Sequence, residues 1–236
     1  MSGPKMLFGD FHMHTHFSKD SLTRPDKLLD SAIKVGLTCI AVTDHNTTKG
    51  GFEVQRLAKE RNAPIRIIVA EEVKTSQGEV TGLFLKEEVP RDMSPMDTIR
   101  AIKEQGGLVS LPHPYDKIRR SPLKAAAIEE VIRSIDIIEV FNARTTFMSD
   151  VIKAKELAEK YKLPAGAGSD AHIAWELGRV YVEFPDFDGT AKEFKLALMH
   201  SKGMRAKRST PLVHLFSRYA KWRKKLLSPL YKGRYN

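Results

Sequence analysis

The chain has 236 residues, of which 42% are hydrophobic and 29% charged, a balance typical of soluble globular proteins. No apolar run approaches the roughly 18 residues that cross a bilayer, and the first residues lack a signal-peptide pattern. A membrane-spanning or secreted protein is therefore not expected. The single cysteine, Cys39, excludes an internal disulfide and a thiolate-rich zinc finger, and it favours a reducing, cytoplasmic setting.

The net charge of +10 is concentrated at the C-terminal end. Residues 203–236 contain ten Lys or Arg and no Asp or Glu, so residues 1–202 are formally neutral. Such an asymmetry indicates an anionic partner for the C-terminal segment.

Strand-like and helix-like segments alternate along residues 1–202. The predicted strands span residues 7–12, 37–43, 65–70, 79–85, 108–111, 136–141, 165–168 and 179–184. The predicted helices span residues 25–35, 51–61, 95–105, 122–134, 149–161 and 190–201. Strands that alternate with helices of this length indicate a largely parallel sheet with about seven βα units. Both a closed barrel and an open doubly wound sheet fit this order.

Side chains of the types that commonly bind metals follow nearly every predicted strand. They are His12, His14, Asp44, His45, Glu71, Glu72, His113, Asn142, Asp170 and His172. The strand ends of a parallel barrel open onto one face, whereas those of an open sheet lie along a line. Residues that follow so many strands could form one site only in the barrel, which the sequence therefore favours. Residues two apart on a strand point the same way, which lets His12 and His14 bind one metal together. Imidazoles and carboxylates suit Zn²⁺, Mn²⁺ or Fe²⁺.

Other common catalytic patterns are missing from the sequence. We find no Gly-x-x-x-x-Gly-Lys loop, no Gly-x-Gly-x-x-Gly turn and no Gly-x-Ser-x-Gly elbow. P-loop, dinucleotide-binding and serine-nucleophile chemistry are therefore not expected.

Four short segments resemble the motifs of a known family. Residues 10–15, 43–46, 112–114 and 168–172 read DFHMHT, TDHN, PHP and GSDAH, and Glu72 and residues 140–144 lie between them. In this order the segments resemble the polymerase-and-histidinol-phosphatase (PHP) family over roughly residues 7–200. The resemblance implies an α/β fold, a distorted seven-stranded (β/α)7 TIM-like barrel over residues 1–202, followed by a basic helix and tail over residues 203–236.

The resemblance also implies two or three divalent metal ions, manganese, zinc or iron. The first metal would be held by His12, His14, Glu72 and Asp170. The second would be held by Glu72, His113 and Asn142, with Glu72 bridging. The third would be held by Asp20, His45 and His172. Glu79 is a further candidate ligand, and Glu72, Asp170 and His172 are the expected catalytic residues.

The implied activity is hydrolysis of a phosphate monoester of a small metabolite or nucleotide by a metal-bound hydroxide. Arg144, two residues beyond Asn142, is predicted to bind the substrate phosphate, because its planar guanidinium matches phosphate oxygens. Weaker candidates for that role are Lys19, Arg119 and Arg120. The alternatives are a phosphodiesterase or exonuclease acting on RNA or DNA, an amidohydrolase, and a non-catalytic metal-binding module.

The basic segment has the pattern of an amphipathic helix that begins near Thr210 and Pro211. Apolar residues at positions 212, 215, 219, 222 and 226 form one stripe, and Lys and Arg occupy most other positions. The stripe could pack on the barrel while the charge binds RNA or DNA phosphates. A plain covering helix with a solvated basic face and a helix on an anionic membrane surface are the alternatives.

Overall fold

The computed structural model describes residues 5–118, 121–210 and 212–231. Within these ranges one mixed sheet contains nine strands. The strands are β1 (Met6–Asp10), β2 (Cys39–Val42), β3 (Arg66–Thr75), β4 (Gly78–Leu83), β5 (Leu108–Leu111), β6 (Ile137–Asn142), β7 (Ala165–Gly168), β8 (Val180–Pro185) and β9 (Gly203–Ala206). The helices are α1 (Pro25–Lys34), α2 (Lys49–Glu60), α3 (Pro95–Glu104), α4 (Ala125–Val131), α5 (Met148–Tyr161), α6 (Ala191–Met199) and α7 (Val213–Tyr231). Arg119, Arg120, Pro211 and residues 232–236 lie outside the described ranges.

The strand order is β7-β6-β5-β4-β3-β2-β1-β8-β9. Strands β1, β2 and β3 pair in parallel, as do β5, β6 and β7. Strand β4 pairs antiparallel with both β3 and β5, so these two groups of three run in the same direction. The six strands of these two groups therefore end at one edge, which we call the mouth.

The sheet curls into a nearly closed barrel. The segment after β1 meets the segment after β7, where the backbone N–H of His14 donates to the carbonyl of Ala171 at 2.8 Å and that of Asp170 to His12 at 2.8 Å. Gly168 allows this close approach, because a Cβ there would lie 2.2 Å from the Cβ of His12. The two loops that carry His12 and Asp170 are thereby fixed side by side.

Local sequence explains several of the helices. The hydroxyl of Ser94 accepts from the N–H of Asp97 at 3.1 Å, and Pro95 occupies the first turn of α3. Thr190 caps α6 in the same way through the N–H of Glu193. Amphipathic spacing turns the apolar face of α3 toward the sheet, where Ile99 and Ile102 are buried.

The mixed α/β architecture and the barrel shape confirm the prediction, whereas the seven-strand count is not confirmed. The expected parallel sheet is interrupted because β3 and β4 form a hairpin, so no crossover helix separates them. A tight turn at Ser76 and Gln77 returns the chain directly. The division at residue 202 stays a prediction, although β9 lies beyond it and pairs with β8.

Helix α7 crosses the mouth with its apolar stripe outward, so the stripe does not pack on the barrel, which was one of the arrangements that the sequence left open. The buried residues of α7 are Val213, Ser217 and Ala220. The side of α7 that faces the mouth therefore carries small side chains, and its longer residues make polar contacts there. Lys224, for example, donates to the carbonyls of His16 and Ser18.

Candidate metal centre

The nine predicted metal ligands all converge at the mouth. They are His12, His14, Asp20, His45, Glu72, His113, Asn142, Asp170 and His172. All are buried except His45, which is partly exposed. Each lies in the last residues of a mouth-directed strand or in the loop after it, which is why residues far apart in sequence meet.

The first group contains His12, His14 and Asp170. The Nε2 atoms of His12 and His14 lie 3.9 and 3.4 Å from Oδ1 of Asp170. The same two atoms lie 3.4 and 3.6 Å from Oε2 of Glu72. The donor atoms of His12, His14 and Asp170 thus lie within 4.8 Å of one another, close enough to share one cation, and Glu72 adds an oxygen near both imidazoles.

Glu72 joins this first group to a second group, which contains His113, and to a third group, which contains Asp20, His45 and His172. Its Oε1 lies 3.0 Å from Nε2 of His113, and its Oε2 lies 3.1 Å from Nδ1 of His45. Burial would raise the pKa of Glu72, but His12 and His45 outweigh it and hold the pKa well below its usual range. A carboxylate shared in this way suits the bridging role predicted for it.

Asp20 lies between two histidines in the third group. Its oxygens lie 3.4 Å from Nε2 of His45 and 3.4 Å from Nε2 of His172. Burial opposes its ionisation, yet His172 and His45 hold the pKa of Asp20 well below its usual range. Glu79, which enters from β4, adds an oxygen 3.8 Å from Nδ1 of His45.

Hydrogen bonds on the far side of two imidazole rings fix which nitrogen faces the cluster. The carbonyl oxygen of Asp170 can only accept, so Nδ1 of His172 donates to it at 2.8 Å. The hydroxyl of Ser18 donates to Asp44 at 2.6 Å, and therefore accepts from Nδ1 of His14 at 3.2 Å. When these rings are neutral, their Nε2 lone pairs point into the cluster, as metal binding requires.

Glu139 fixes the orientation of the His12 ring in the same way, by accepting a hydrogen bond from the nitrogen that faces away from the cluster. The sequence analysis did not identify Glu139. It accepts from Nδ1 of His12 at 3.1 Å and from the N–H of His113 at 2.7 Å. The Nε2 atoms of His12 and His14 are buried and make no hydrogen bond within the described part of the chain. Buried imidazole nitrogens of this kind are unfavourable without a partner, and a divalent cation supplies one.

A register shift in β6 explains why Glu139 was not found. Glu139 and Asn142 are three residues apart, so in a regular strand they would face opposite sides. The pairing of β6 with β7 slips between Glu139 and Phe141, which brings both polar side chains to the mouth. Period-two alternation does not reveal such a bulge.

The amide of Asn142 makes hydrogen bonds to neighbouring acids and to the backbone. Its Nδ2 donates to Glu139 and to Oδ2 of Asp170, each at 3.2 Å. Its Oδ1 accepts from the backbone N–H of Arg144 at 2.9 Å. The oxygen expected at the second metal is thus engaged by the backbone, and this assignment stays a prediction.

Arg144 makes a buried ion pair. Its guanidinium donates to both oxygens of Glu176, at 2.9 and 2.6 Å, and to the hydroxyl of Ser217 in α7 at 2.8 Å. Glu176 was also missed by the sequence analysis, because it lies in a 3-10 turn outside the motifs. The substrate-binding role of Arg144 stays a prediction.

Two strand-end acids from the sequence analysis lie outside the cluster. Asp44 accepts from the backbone N–H and hydroxyl of Thr15, at 2.7 and 2.5 Å, and supports the loop after β1. Glu71 accepts from the N–H of Val89 at 2.9 Å, and burial raises its pKa to about 7. Both acids stabilise the backbone that carries the ligands.

Two of the predicted ligands have uncommon backbone conformations. His113 has φ 30° and Asp170 has φ 52°, in the left-handed region that residues with side chains seldom adopt. Strain of this kind costs on the order of 1–3 kcal/mol and persists where surrounding structure enforces it. Its position at two candidate ligands is consistent with a preorganised site.

A cavity of about 650 Å³ opens above the cluster. Asp20, His45, Asp170 and His172 form its floor. Its rim carries basic residues from several loops and from α7, namely Lys19, Lys74, Lys124, Arg218 and Lys221. Positive charge around an acidic, histidine-rich floor suits an anionic substrate bound over cations.

Comparison with known proteins identifies the family. Residues 152–199 match the family model PHP_C, described as PHP-associated. Two uncharacterized proteins of Methanocaldococcus jannaschii, MJ1587 and MJ0417, are 40% and 37% identical over 145 and 183 residues. These alignments cover 57% and 76% of this chain, and 81% and 71% of the relatives.

A solved structure shares the fold. It is the crystal structure of a two-domain protein from Bacteroides vulgatus that contains a predicted PHP-like metal-dependent phosphoesterase. The two superpose with a TM-score of 0.70 at 20% identity, over 85% of this chain and 65% of that protein. The chain belongs to the PHP family. The PHP motifs quoted from the sequence coincide with the loops that build the mouth.

Proposed function

We propose that this PHP-family protein is a metal-dependent phosphoesterase that hydrolyses phosphate monoesters of a small metabolite or nucleotide. The observation that carries the proposal is the inward Nε2 lone pair of His12, His14 and His172, each fixed by a partner on the opposite ring nitrogen. Carboxylates of Glu72 and Asp170 complete a donor set of buried imidazole and carboxylate groups. Such a set fits manganese, zinc or iron.

Two or three divalent ions would be distributed over the three groups. His12, His14 and Asp170 would hold the first, and His113 and Asn142 the second, with Glu72 shared between the two. Asp20, His45 and His172 would hold the third, with Glu79 near it. Bound cations of this kind polarise phosphoryl oxygens and make a water acidic enough to attack phosphorus near neutral pH.

The protein's own groups supply the positioning. Glu72 presents separate oxygens to His113 and to the pair His12 and His14, so this carboxylate would be shared by two cation sites. Glu139 holds the ring of His12, and Ser18 that of His14. The rim cations Lys19 and Lys221 would orient the anionic substrate over this floor.

A second candidate, a phosphodiesterase or exonuclease on RNA or DNA, is favoured by one observation. The basic rim extends over α7 and over Lys74 and Lys124, farther than a single phosphate requires. We rank it second because the described residues contain no long insertion between the barrel elements that could form an extended channel. A cytoplasmic location, expected from the sequence, stays a prediction.

Product analysis separates these functions. The Mn²⁺-loaded protein is incubated with a short 5′-phosphorylated RNA and with small phosphate monoesters. Free phosphate with an intact chain, or phosphate from the small esters, supports the monoesterase. Mononucleotides would support the exonuclease. Metal binding without turnover on any ester would indicate a non-catalytic module and overturn the proposal.

Two variants connect the product to the site. Asp170→Asn removes a charge from the first group and is expected to lower the rate at least about 100-fold, because the ions would lose a shared anionic ligand. His200→Gln is the matched control, since His200 is exposed at the end of α6. Retention of the wild-type rate by Asp170→Asn would contradict the assignment.

A further inference from the structure

Helix α7 carries an apolar face that points away from the body and that no other described helix or strand covers. We call Leu215, Tyr219, Trp222 and Leu226 the outer stripe. These side chains are spaced by three or four residues, so they lie on one side of the helix. Leu215 is 58% exposed, Trp222 60% and Leu226 60%. Large apolar side chains this exposed, in one line, mark an interaction surface rather than ordinary solvent-facing residues.

The opposite side of α7 is held on the mouth by polar contacts. Ser217 accepts from Arg144, Lys221 pairs with Asp20 at 3.2 Å, and Lys224 donates to two carbonyls of the loop after β1. Phe216 packs edge to face on Trp175 with ring centroids 6.2 Å apart. The helix is therefore anchored in an orientation that keeps the outer stripe in solvent.

Basic residues border the outer stripe on both sides. Arg218 and Lys225 lie along one edge and Arg223 along the other, and all three are exposed. Residues 203–236 contain no Asp or Glu. An apolar stripe bordered by positive charges is typical of an interfacial helix on an anionic lipid surface. The stripe enters the boundary between headgroups and acyl chains, and the cations contact the headgroups.

The loops around α7 continue this surface. Four loops that follow mouth-directed strands each expose a large apolar side chain, Phe17 after β1, Ile118 after β5, Phe147 after β6 and Trp175 after β7. Aromatic side chains are favoured at the headgroup level of a bilayer. No described helix is long and apolar enough to cross a membrane, so docking would take place in the plane of the surface.

We propose that the mouth end of this protein docks on an anionic lipid membrane through the outer stripe of α7 and its flanking Arg and Lys. Nucleic acid would pair with the cations and could stack on Tyr219 and Trp222, but it would leave Leu215 and Leu226 in water. A protein partner would have to supply both an apolar groove and a continuous acidic border. Docking in this orientation places the cavity above the metal ligands next to the membrane. The inference does not depend on the proposed hydrolysis.

Flotation of the full chain with vesicles tests the proposal. Vesicles of phosphatidylcholine containing phosphatidylglycerol are compared with vesicles of phosphatidylcholine alone. We expect flotation with the first and little with the second, and a loss of binding at high salt. Equal flotation with both would mean non-specific adhesion and overturn the proposal, as would flotation with neither.

Three variants localise the effect. Leu215→Glu/Trp222→Glu is expected to weaken binding on the order of 100-fold, because two anchors become charged. Arg218→Gln/Arg223→Gln should weaken it roughly 30-fold, because two cations near the surface are lost. Leu196→Glu/Met199→Glu on α6 is the matched control and should bind as the wild type, since both residues are exposed away from the mouth. Unchanged binding of the first variant would overturn the proposal.

Tryptophan fluorescence gives a measure that needs no stripe variant. The chain has two tryptophans, so Trp175→Phe leaves Trp222 as the single reporter. Its emission should shift to shorter wavelength with anionic vesicles, and an unshifted emission would contradict docking.

A dimer dissolved by Leu215→Glu/Trp222→Glu, without vesicle binding, would assign the stripe to a second copy of the chain. Binding to RNA that needs the stripe and excludes vesicles would also overturn the proposal.

Discussion

Arg144 and Glu176 form a buried two-pronged ion pair beside the metal ligands. The guanidinium nitrogens lie 2.9 and 2.6 Å from the two carboxylate oxygens, and both side chains are almost fully buried. Glu176 also accepts from the backbone N–H of His172 at 3.0 Å. The pair therefore connects the loop after β6, the turn after β7 and, through Ser217, helix α7.

Removing one member of this pair should destabilise the protein. Glu176→Gln leaves the Arg144 cation buried without its counter-charge, which typically costs about 3–5 kcal/mol. In a chain of this size we expect the unfolding temperature to fall by roughly 6–15 °C in calorimetry. Arg144→Met/Glu176→Leu removes both charges and should recover much of the loss. Equal stability of Glu176→Gln and wild type would show that the pair is not a structural element.

Glu139 should set the metal affinity through His12. Glu139→Gln weakens the acceptor of the His12 Nδ1 proton, and loss of such a partner typically lowers metal affinity about 10–100-fold. Calorimetric titration of Mn²⁺ into the apo protein measures this directly. Glu104→Gln, at an exposed carboxylate at the end of α3, is the control and should titrate as the wild type. An unaltered affinity in Glu139→Gln would remove Glu139 from the site.

Gly50 should not tolerate a side chain. A Cβ at this position would lie 1.9 Å from Oδ2 of Asp44 and 2.4 Å from Oγ1 of Thr15, in a network that supports the first loop. We expect Gly50→Ala to lower the free energy of unfolding by about 1–3 kcal/mol, measured with urea. Gly203→Ala is the matched control, because a Cβ there meets nothing within 4 Å. Similar stabilities for both variants would contradict the packing described for Asp44.

Asp136 should make stability depend on acid pH. Burial would raise the pKa of Asp136, but Lys103, Lys195 and the N–H of Val109 outweigh it and lower the pKa. A lowered pKa means that the stabilising charge is present above the ordinary value of 3.8 and is lost as the pH falls below it.

The variant Asp136→Asn tests this dependence. At pH 7 it should be about 1.5–3 kcal/mol less stable than the wild type, because charge-assisted hydrogen bonds are lost. The difference should shrink as the pH is lowered through about 4 towards 3, since the wild-type carboxyl becomes neutral as well. Urea unfolding at several pH values measures it. A difference that does not change with pH would mean that Asp136 acts through shape alone.

Much of the site could be predicted because metal ligands in this fold sit at strand ends. Alternation of strands and helices located the loops, and the motifs selected His12, His14, His45 and His113 within them. The structure brings these side chains together. Glu139 could not be predicted in this way, because a bulge in β6 breaks the period of two on which strand arguments depend.

Other differences have equally local causes. Strand β4 returns through a hairpin, so its direction depends on a two-residue turn that the count of βα units does not register. The outward stripe of α7 follows from the polar contacts of Lys221 and Lys224 at the mouth, which hydrophobic periodicity alone does not reveal. A local turn decided the first case, and tertiary contacts decided the second.

The central claim is a divalent metal centre at the mouth, and anomalous diffraction from crystals soaked in Mn²⁺ tests it most directly. We expect two or three anomalous peaks, one among His12, His14 and Asp170, one between Glu72 and His113, and the third near Asp20, His45 and His172. Crystals of Asp170→Asn should lose the first peak. Well-diffracting soaked crystals without any peak among these residues would contradict the claim.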